Sequence, residues 1–307
     1  QMGIMQVVRN YFEKKRINSL IKTQQEILEN LFYGKTIPHP RIIHLETRTR
    51  CNSTCSFCMA NIYDDPRKDL LMPDSLLYKI IDELEEWNYS NRISFYNNNE
   101  PFLDKRLPKI IKNARSKIPR SYLEVKSNGR GLKIDKILEV FNAGLDMLYI
   151  NDYTDTGKNS KNIIKIIDEL STIRRFKGHM ESHNGNYFHK IIITQRDVNQ
   201  VLNTRAGTAP NRNKLPRSLQ IPCFRPFEMM TINPEGYVGV CSEDLLYLSK
   251  MGDVNKNKLL EIWYSDKYER FRRKLIQGDR GHHKACSNCD YKGFSFEIFL
   301  ESGILNN

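Results

Sequence analysis

The stretch Cys51-Asn52-Ser53-Thr54-Cys55-Ser56-Phe57-Cys58 places three cysteines within eight residues, directly after the apolar, strand-like run Arg41-Ile42-Ile43-His44-Leu45-Glu46. A tight loop of this kind brings three thiolates onto one face of a cubane iron–sulfur cluster, and leaves one of the four irons open to bind something else. Structural zinc instead wants four closed ligands, commonly supplied by paired cysteines. His44 is the only other ligand type close by, and it lies along the strand.

Working outward, the pattern from Arg41 is strand–helix–strand. Strands are expected at 41–47, 91–97, 121–126, 146–151 and 187–195, with helices near 74–88, 104–117, 133–143 and 159–175. Alternation at about 30 residues per unit argues for parallel βαβ units and an α/β fold. In α/β barrels chemistry collects where strands end, and the cysteine loop follows the first strand. Upstream, residues 5–34 carry apolar side chains at helical spacing among Lys, Glu and Gln, so 1–38 reads as an amphipathic helix. Residues 201–222 form a polar connection broken by Gly207, Pro210 and Pro216.

A second cysteine set, Cys223, Cys241, Cys286 and Cys289, encloses a hairpin signal at Phe227–Val240 with its turn at Asn233-Pro234-Glu235-Gly236. A helix-like stretch follows at 257–276, and residues 296–307 form a tail. Alone, this quartet also fits a zinc ribbon.

The C-x3-C-x2-C spacing, with Phe57 before the third cysteine, resembles the signature loop of the radical S-adenosylmethionine (SAM) superfamily. The resemblance implies a [4Fe–4S] cluster on Cys51, Cys55 and Cys58 whose open iron chelates the methionine end of SAM. Tyr96-Asn97-Asn98-Asn99-Glu100-Pro101 resembles that family's Gly-Gly-Glu-Pro segment, with Asn98 and Asn99 where the family has glycines. It implies that Glu100 and the backbone of Asn98 and Asn99 hold the SAM amino group. Ser127-Asn128-Gly129 resembles the Thr-Asn-Gly near the ribose, and Asp152 in Asn151-Asp152-Tyr153 would face ribose or substrate. Phe57, Asn98, Asn99, Glu100, Ser127, Asn128 and Asp152 are thus the expected SAM contacts.

Downstream, the hairpin and the quartet resemble the Twitch module, a shortened SPASM extension that presents four cysteines to one auxiliary [4Fe–4S] cluster. The resemblance spans about residues 41–290 and implies a partial, open TIM-like β/α barrel of five to six parallel strands (39–200), with a hairpin/helix cluster module at 223–295. Seven cysteines then divide as three plus four, leaving none over. Asn203-Thr204-Arg205-Ala206-Gly207 resembles a segment near the substrate in families with an auxiliary cluster, which makes Arg205 a candidate substrate contact. Sulfatase-maturing relatives carry an aspartate right after a cluster cysteine. Ser242 stands there instead, so Glu243 and Asp244 are the candidate bases.

The implied activity is a two-electron dehydrogenation of a small sugar- or antibiotic-like molecule, begun by a 5′-deoxyadenosyl radical and similar to that of Twitch-type aminocyclitol dehydrogenases. A maturase acting on a ribosomally made peptide is the alternative. A flavodoxin- or ferredoxin-type electron donor is implied in either case.

Composition bounds the rest. The chain has 307 residues, 39% hydrophobic and 27% charged, with a formal charge of +12 that suits an acidic partner. A metal-containing nucleic-acid-binding module is the remote alternative, but lysine and arginine are dispersed and no aromatic–basic motif stands out. No apolar run approaches ~20 residues, so no membrane partner is expected. Clustered cysteines without a secretory signal fit a reducing, cytoplasmic location.

Overall fold

The computed structural model describes residues 37–292 apart from 183–184, together with residues 15, 18–19, 21–30 and 32–33 of an N-terminal helix. The described helix at 21–30 is α1. Then come β1 (Ile42–Leu45), α2 (Asp74–Glu86), β2 (Arg92–Ser94), α3 (Leu107–Lys117), β3 (Tyr122–Ser127), α4 (Ile134–Asn142), β4 (Met147–Thr154) and α5 (Lys161–Thr172). A meander follows: β5 (Met180–Ser182), β6 (Gly185–Phe188) and β7 (Ile191–Asp197). The C-terminal part holds α6 (Arg225–Glu228), β8 (Met229–Ile232), β9 (Tyr237–Gly239), β10 (Gly252–Asp253), α7 (Leu259–Trp263), α8 (Asp266–Ile276) and α9 (Lys284–Ser287).

Local chemistry accounts for these elements. All four residues of β1 are buried, as a parallel strand covered on both faces requires. In α2, Leu76, Leu77, Ile80, Ile81 and Leu84 form one buried stripe. Asp74 sits in its first turn, and Asn88 at φ 52° ends it in a left-handed turn. Ser160 caps α5 by accepting from the Ile163 amide, and Ser265 caps α8 by accepting from the Tyr268 amide.

The strands form one sheet in the order β10-β9-β8-β1-β2-β3-β4-β7-β6-β5. Six neighbours, β8-β1-β2-β3-β4-β7, run parallel. The order is linear, so the barrel stays open. Its sixth parallel strand is β8, which pairs with β1 while also turning back antiparallel onto β9. The sheet thus continues from the barrel strands into the segment after residue 223.

Two expectations change. The strand expected at 187–195 is two antiparallel strands, with a turn at His189–Lys190 and Lys190 at φ 66°. The helix expected over 257–276 breaks before Ser265, because that side chain caps a new helix rather than continuing the old one. In the N-terminal helix, Leu28 packs with Phe224, Phe227 and Ile276 of the C-terminal part. Residues 1–14 and 293–307, including the tail at 296–307, lie outside the described residues.

Candidate active site

A cavity of about 750 Å³ opens on the barrel interior. Cys51, Cys55 and Cys58 line it together with Phe57, as do Asn98, Asn99 and Glu100 after β2 and Ser127 and Asn128 at the end of β3. Arg205 and Glu243 complete its wall on the C-terminal side.

The cysteine loop is held by its own side chains. Asn61 Nδ2 donates to the carbonyls of Cys58 (2.7 Å) and Cys55 (3.3 Å). Ser53 Oγ lies 2.9 Å from Cys55 Sγ, and Asn128 Nδ2 donates to Cys51 Sγ at 3.4 Å. Burial pushes the Cys51 thiol up to about 12 and Cys55 to about 11, and the neighbouring thiols push the same way. The Cys51 and Cys55 thiols, which resist ionisation, need a positive centre to hold them as thiolates, and with Cys58 they are the donor set an iron–sulfur cluster takes.

Glu100 is buried and accepts three hydrogen bonds: Ser127 Oγ (2.8 Å), the Asn128 amide (2.7 Å) and the Phe102 amide (3.2 Å). Burial nonetheless pushes it up to about 7. Gly129 is at φ 69°, and a Cβ there would meet Ile150 and Ile163 at 2.7 Å, so the Ser127-Asn128-Gly129 turn requires glycine. Asn98 explains its departure from glycine. Its amide nitrogen donates to the Ser242 carbonyl (3.3 Å) and its oxygen accepts from Arg205 Nη2, so one side chain ties the strand-end loop to the second cysteine set. Phe57 packs on Tyr153 with ring centroids 5.4 Å apart.

Two expected residues sit elsewhere. Asp152 faces away from the cavity, and its carboxylate accepts from the Ser160 amide at 2.6 Å ahead of α5. Strand alternation puts Tyr149, Asn151 and Tyr153 on the cavity face instead. Asp244 is spent on its own turn, accepting from the Leu248 amide, the Ser249 amide and the Ser249 hydroxyl at 2.6–2.9 Å. Glu243 is the remaining acid: it is 9% exposed, and its Oε2 has no hydrogen-bond partner.

Arg205 sits in a run of three left-handed residues, with φ of 46°, 55° and 83° through Ala206 and Gly207. Two of them are not glycine, a conformation costing on the order of 1–2 kcal/mol each. The turn is braced against the last cysteine pair, since Thr204 Oγ1 donates to the Asn288 carbonyl at 2.6 Å. Burial lowers the Arg205 guanidinium, and the negative groups around it, Cys58 and Glu243 first, more than offset this.

Behind that wall, Cys223, Cys241, Cys286 and Cys289 ring a second, smaller pocket. Arg225, Glu243 and Tyr291 line both it and the front cavity. Among the described residues no three His, Cys, Asp or Glu side chains converge on one ion. The four thiols stand around a space, an arrangement suited to a polynuclear cluster.

Sequence reasoning missed Arg67, which clamps the loop after the cysteines to the Asn98 segment. It donates to Glu46 Oε1 (2.8 Å), to Asp65 through two nitrogens, and to the Asn98 carbonyl (2.6 Å). Glu46 is fully buried, so Arg67→Ala will strand its charge and destabilise the chain by about 3–5 kcal/mol in a urea titration. It also missed the floor, where Lys126 Nζ lies between the Tyr96 and Tyr149 rings at 5.2 and 5.4 Å.

An iron–sulfur cluster-binding domain, SPASM, matches residues 223–290. Over 250 residues the chain is 24% identical to the S-adenosyl-L-methionine-dependent 2-deoxy-scyllo-inosamine dehydrogenase of Niallia circulans, covering 81% of this chain and 92% of that protein. This chain is similar to radical SAM enzymes that carry a SPASM-type module. The crystal structure of BtrN in complex with AdoMet and 2-DOIA shares the radical SAM fold at a TM-score of 0.69 and 23% identity, over 83% of this chain and 94% of that one. A cofactor-modifying protein for a tungsten-containing aldehyde ferredoxin oxidoreductase from Pyrococcus furiosus matches at 21% over 52% of this chain and 46% of its own length. The matched domain is one that binds an iron–sulfur cluster, and the Niallia circulans protein depends on S-adenosyl-L-methionine. Among the described residues no helix is long and apolar enough to cross a membrane.

Proposed function

We propose that this radical SAM oxidoreductase dehydrogenates an alcohol carbon of a small, sugar- or aminocyclitol-like molecule held in the front cavity. The observation that carries the reading is the shared wall. Glu243 and Arg225 face both the cavity lined by the cysteine trio and the pocket ringed by the quartet. The named activity of the Niallia circulans relative supports the substrate class. A cavity of about 750 Å³ is within the range for SAM-sized and sugar-sized ligands.

When bound, the front cluster and SAM supply a carbon radical able to take a hydrogen atom, and the auxiliary cluster supplies an acceptor for a second electron. Cys51, Cys55 and Cys58 would hold the former, and Cys223, Cys241, Cys286 and Cys289 the latter. Glu100, the backbone of Asn98 and Asn99, and Ser127 and Asn128 would hold SAM, with Phe57 and Tyr153 packing beside it. Arg205 and Asn151, which line the cavity, would hydrogen-bond substrate hydroxyls. Glu243 Oε2, buried and without a partner, would take the hydroxyl proton.

An acidic flavodoxin- or ferredoxin-type donor is part of the proposal, as is a cytoplasmic setting. The basic chain supports such a donor, and so do Ile62 and Tyr63, which are 52% and 76% exposed just past the cysteine loop.

A pH effect follows from Glu100. A cation bound beside this carboxylate lowers its pKa from about 7, so binding releases a proton and tightens as pH rises. Calorimetry on the reconstituted protein should show SAM affinity weakening about tenfold from pH 8 to pH 6, a dependence that Glu100→Gln removes.

The function itself is tested by incubating reconstituted enzyme with SAM, dithionite and a panel of aminocyclitols and sugar alcohols deuterated at carbon. The reading expects one 5′-deoxyadenosine, carrying the deuterium, per ketone formed. Label transfer from a peptide and none from any alcohol would overturn it in favour of a maturase.

A further inference from the structure

Arg280 is 1% exposed, yet it makes no ion pair with an acid among the described residues. All its hydrogen bonds go to backbone carbonyls: Nε to Ile221 (3.0 Å), Nη2 to Pro222 (2.9 Å) and Nη1 to Tyr291 (2.5 Å). These carbonyls belong to the segments just before Cys223 and just after Cys289. One side chain therefore joins the two ends of the quartet while bringing an uncompensated charge to the pocket wall.

Arg225 repeats the pattern. Its guanidinium lies 4.5 Å over the Tyr291 ring and also hydrogen-bonds that side chain, and among the described residues Nη1 reaches Ser242 Oγ at 3.4 Å and the Met229 sulfur at 3.6 Å, all neutral partners. Its Nε is buried without a partner. It too lines the pocket of the four cysteines. A buried cation without an acid is costly unless another negative group repays its desolvation. Two acids share that wall: Asp244, already taken up by its own turn, and Glu243, whose Oε2 is unbonded. Neither lies within ion-pair distance of Arg225 or Arg280. The negative group these guanidiniums face is then the sulfur quartet and whatever it binds.

We propose that Arg225 and Arg280 are the counter-charges of the auxiliary cluster and raise its reduction potential, so that it accepts an electron from the substrate side, and that Arg280 also clamps the two chain segments carrying its outer ligands. The inference rests on the reading of the quartet as a cluster site. Its physical content is simple. Reduction adds a negative charge to the pocket, and fixed positive charge in a dry site stabilises the reduced form.

The test uses the full chain with Cys51, Cys55 and Cys58 all changed to alanine, so that only the quartet contributes to the spectrum. Midpoint potentials are read by EPR-monitored redox titration alongside iron content. Arg225→Gln should lower the equilibrium constant for reduction at least tenfold, a fall of about 59 mV for one electron. Arg225→Lys should stay within threefold of the parent, because it keeps the charge. Glu243→Gln removes an opposing charge and should shift the potential the other way. Arg280→Lys should keep the potential but release iron to a chelator faster. An unchanged or raised potential in Arg225→Gln with iron intact overturns the inference alone. If Arg225→Gln does not hold iron, Glu243→Gln decides: a rise supports the inference, and no change or a fall overturns it. No iron in the parent triple variant overturns the cluster reading and the inference together.

Discussion

Cys55→Ala will take 5′-deoxyadenosine formation with dithionite to background while leaving about half the iron bound. The expectation follows from position. Cys55 is buried beside Ser53, its carbonyl is held by Asn61, and it shares the cavity wall with Cys51, Cys58 and Glu100. Its loss leaves two thiols for a cluster that needs three, and removes the open iron on which SAM cleavage depends. Cys223→Ala should behave in the opposite way, keeping SAM cleavage and losing the oxidised product. Loss of SAM cleavage in Cys223→Ala, with Cys55→Ala still active, would reverse the assignment of the two sites.

Glu243→Gln is expected to lower ketone formation by about 10²–10⁴-fold while SAM cleavage continues. Glutamine keeps the shape and the amide contact to Cys241, where the Glu243 N–H donates to Sγ at 3.4 Å, but removes the proton acceptor. The measurement is the ratio of 5′-deoxyadenosine to ketone, which should rise well above one. A ratio held at one with full turnover would free Glu243 of this role and leave proton acceptance to another group on the cavity wall, such as Lys126.

Much of this was legible in the chain because its signals are covalent or periodic. Cysteine spacing singled out two sets of thiols, which line the front cavity and the pocket behind it, and the β/α alternation located β1 to β4 and the helices α2 to α5 between 74 and 172. What escaped was set by tertiary pairing. The run Met229–Ile232 carries a hairpin signal, and nothing local says that its other edge pairs in parallel with β1. The turn at His189–Lys190 has neither glycine nor asparagine, so β6 and β7 read as one strand. Asp152 was off by one residue in a period-two element, which exchanges the cavity face for the helix face. Asp244 carried the right chemistry but had been recruited by its own turn. Arg67 and Arg280 bear no motif at all; their roles come from reaching backbone carbonyls distant in sequence.

Anaerobic quantification of iron and zinc, with Mössbauer spectra of the wild type and of the variant with Cys51, Cys55 and Cys58 all changed to alanine, tests the central claim most directly. The account predicts about eight irons per chain in two cubanes, falling to about four in the variant, with no zinc in either. Zinc in either pocket, or a variant that keeps all its iron, would contradict it.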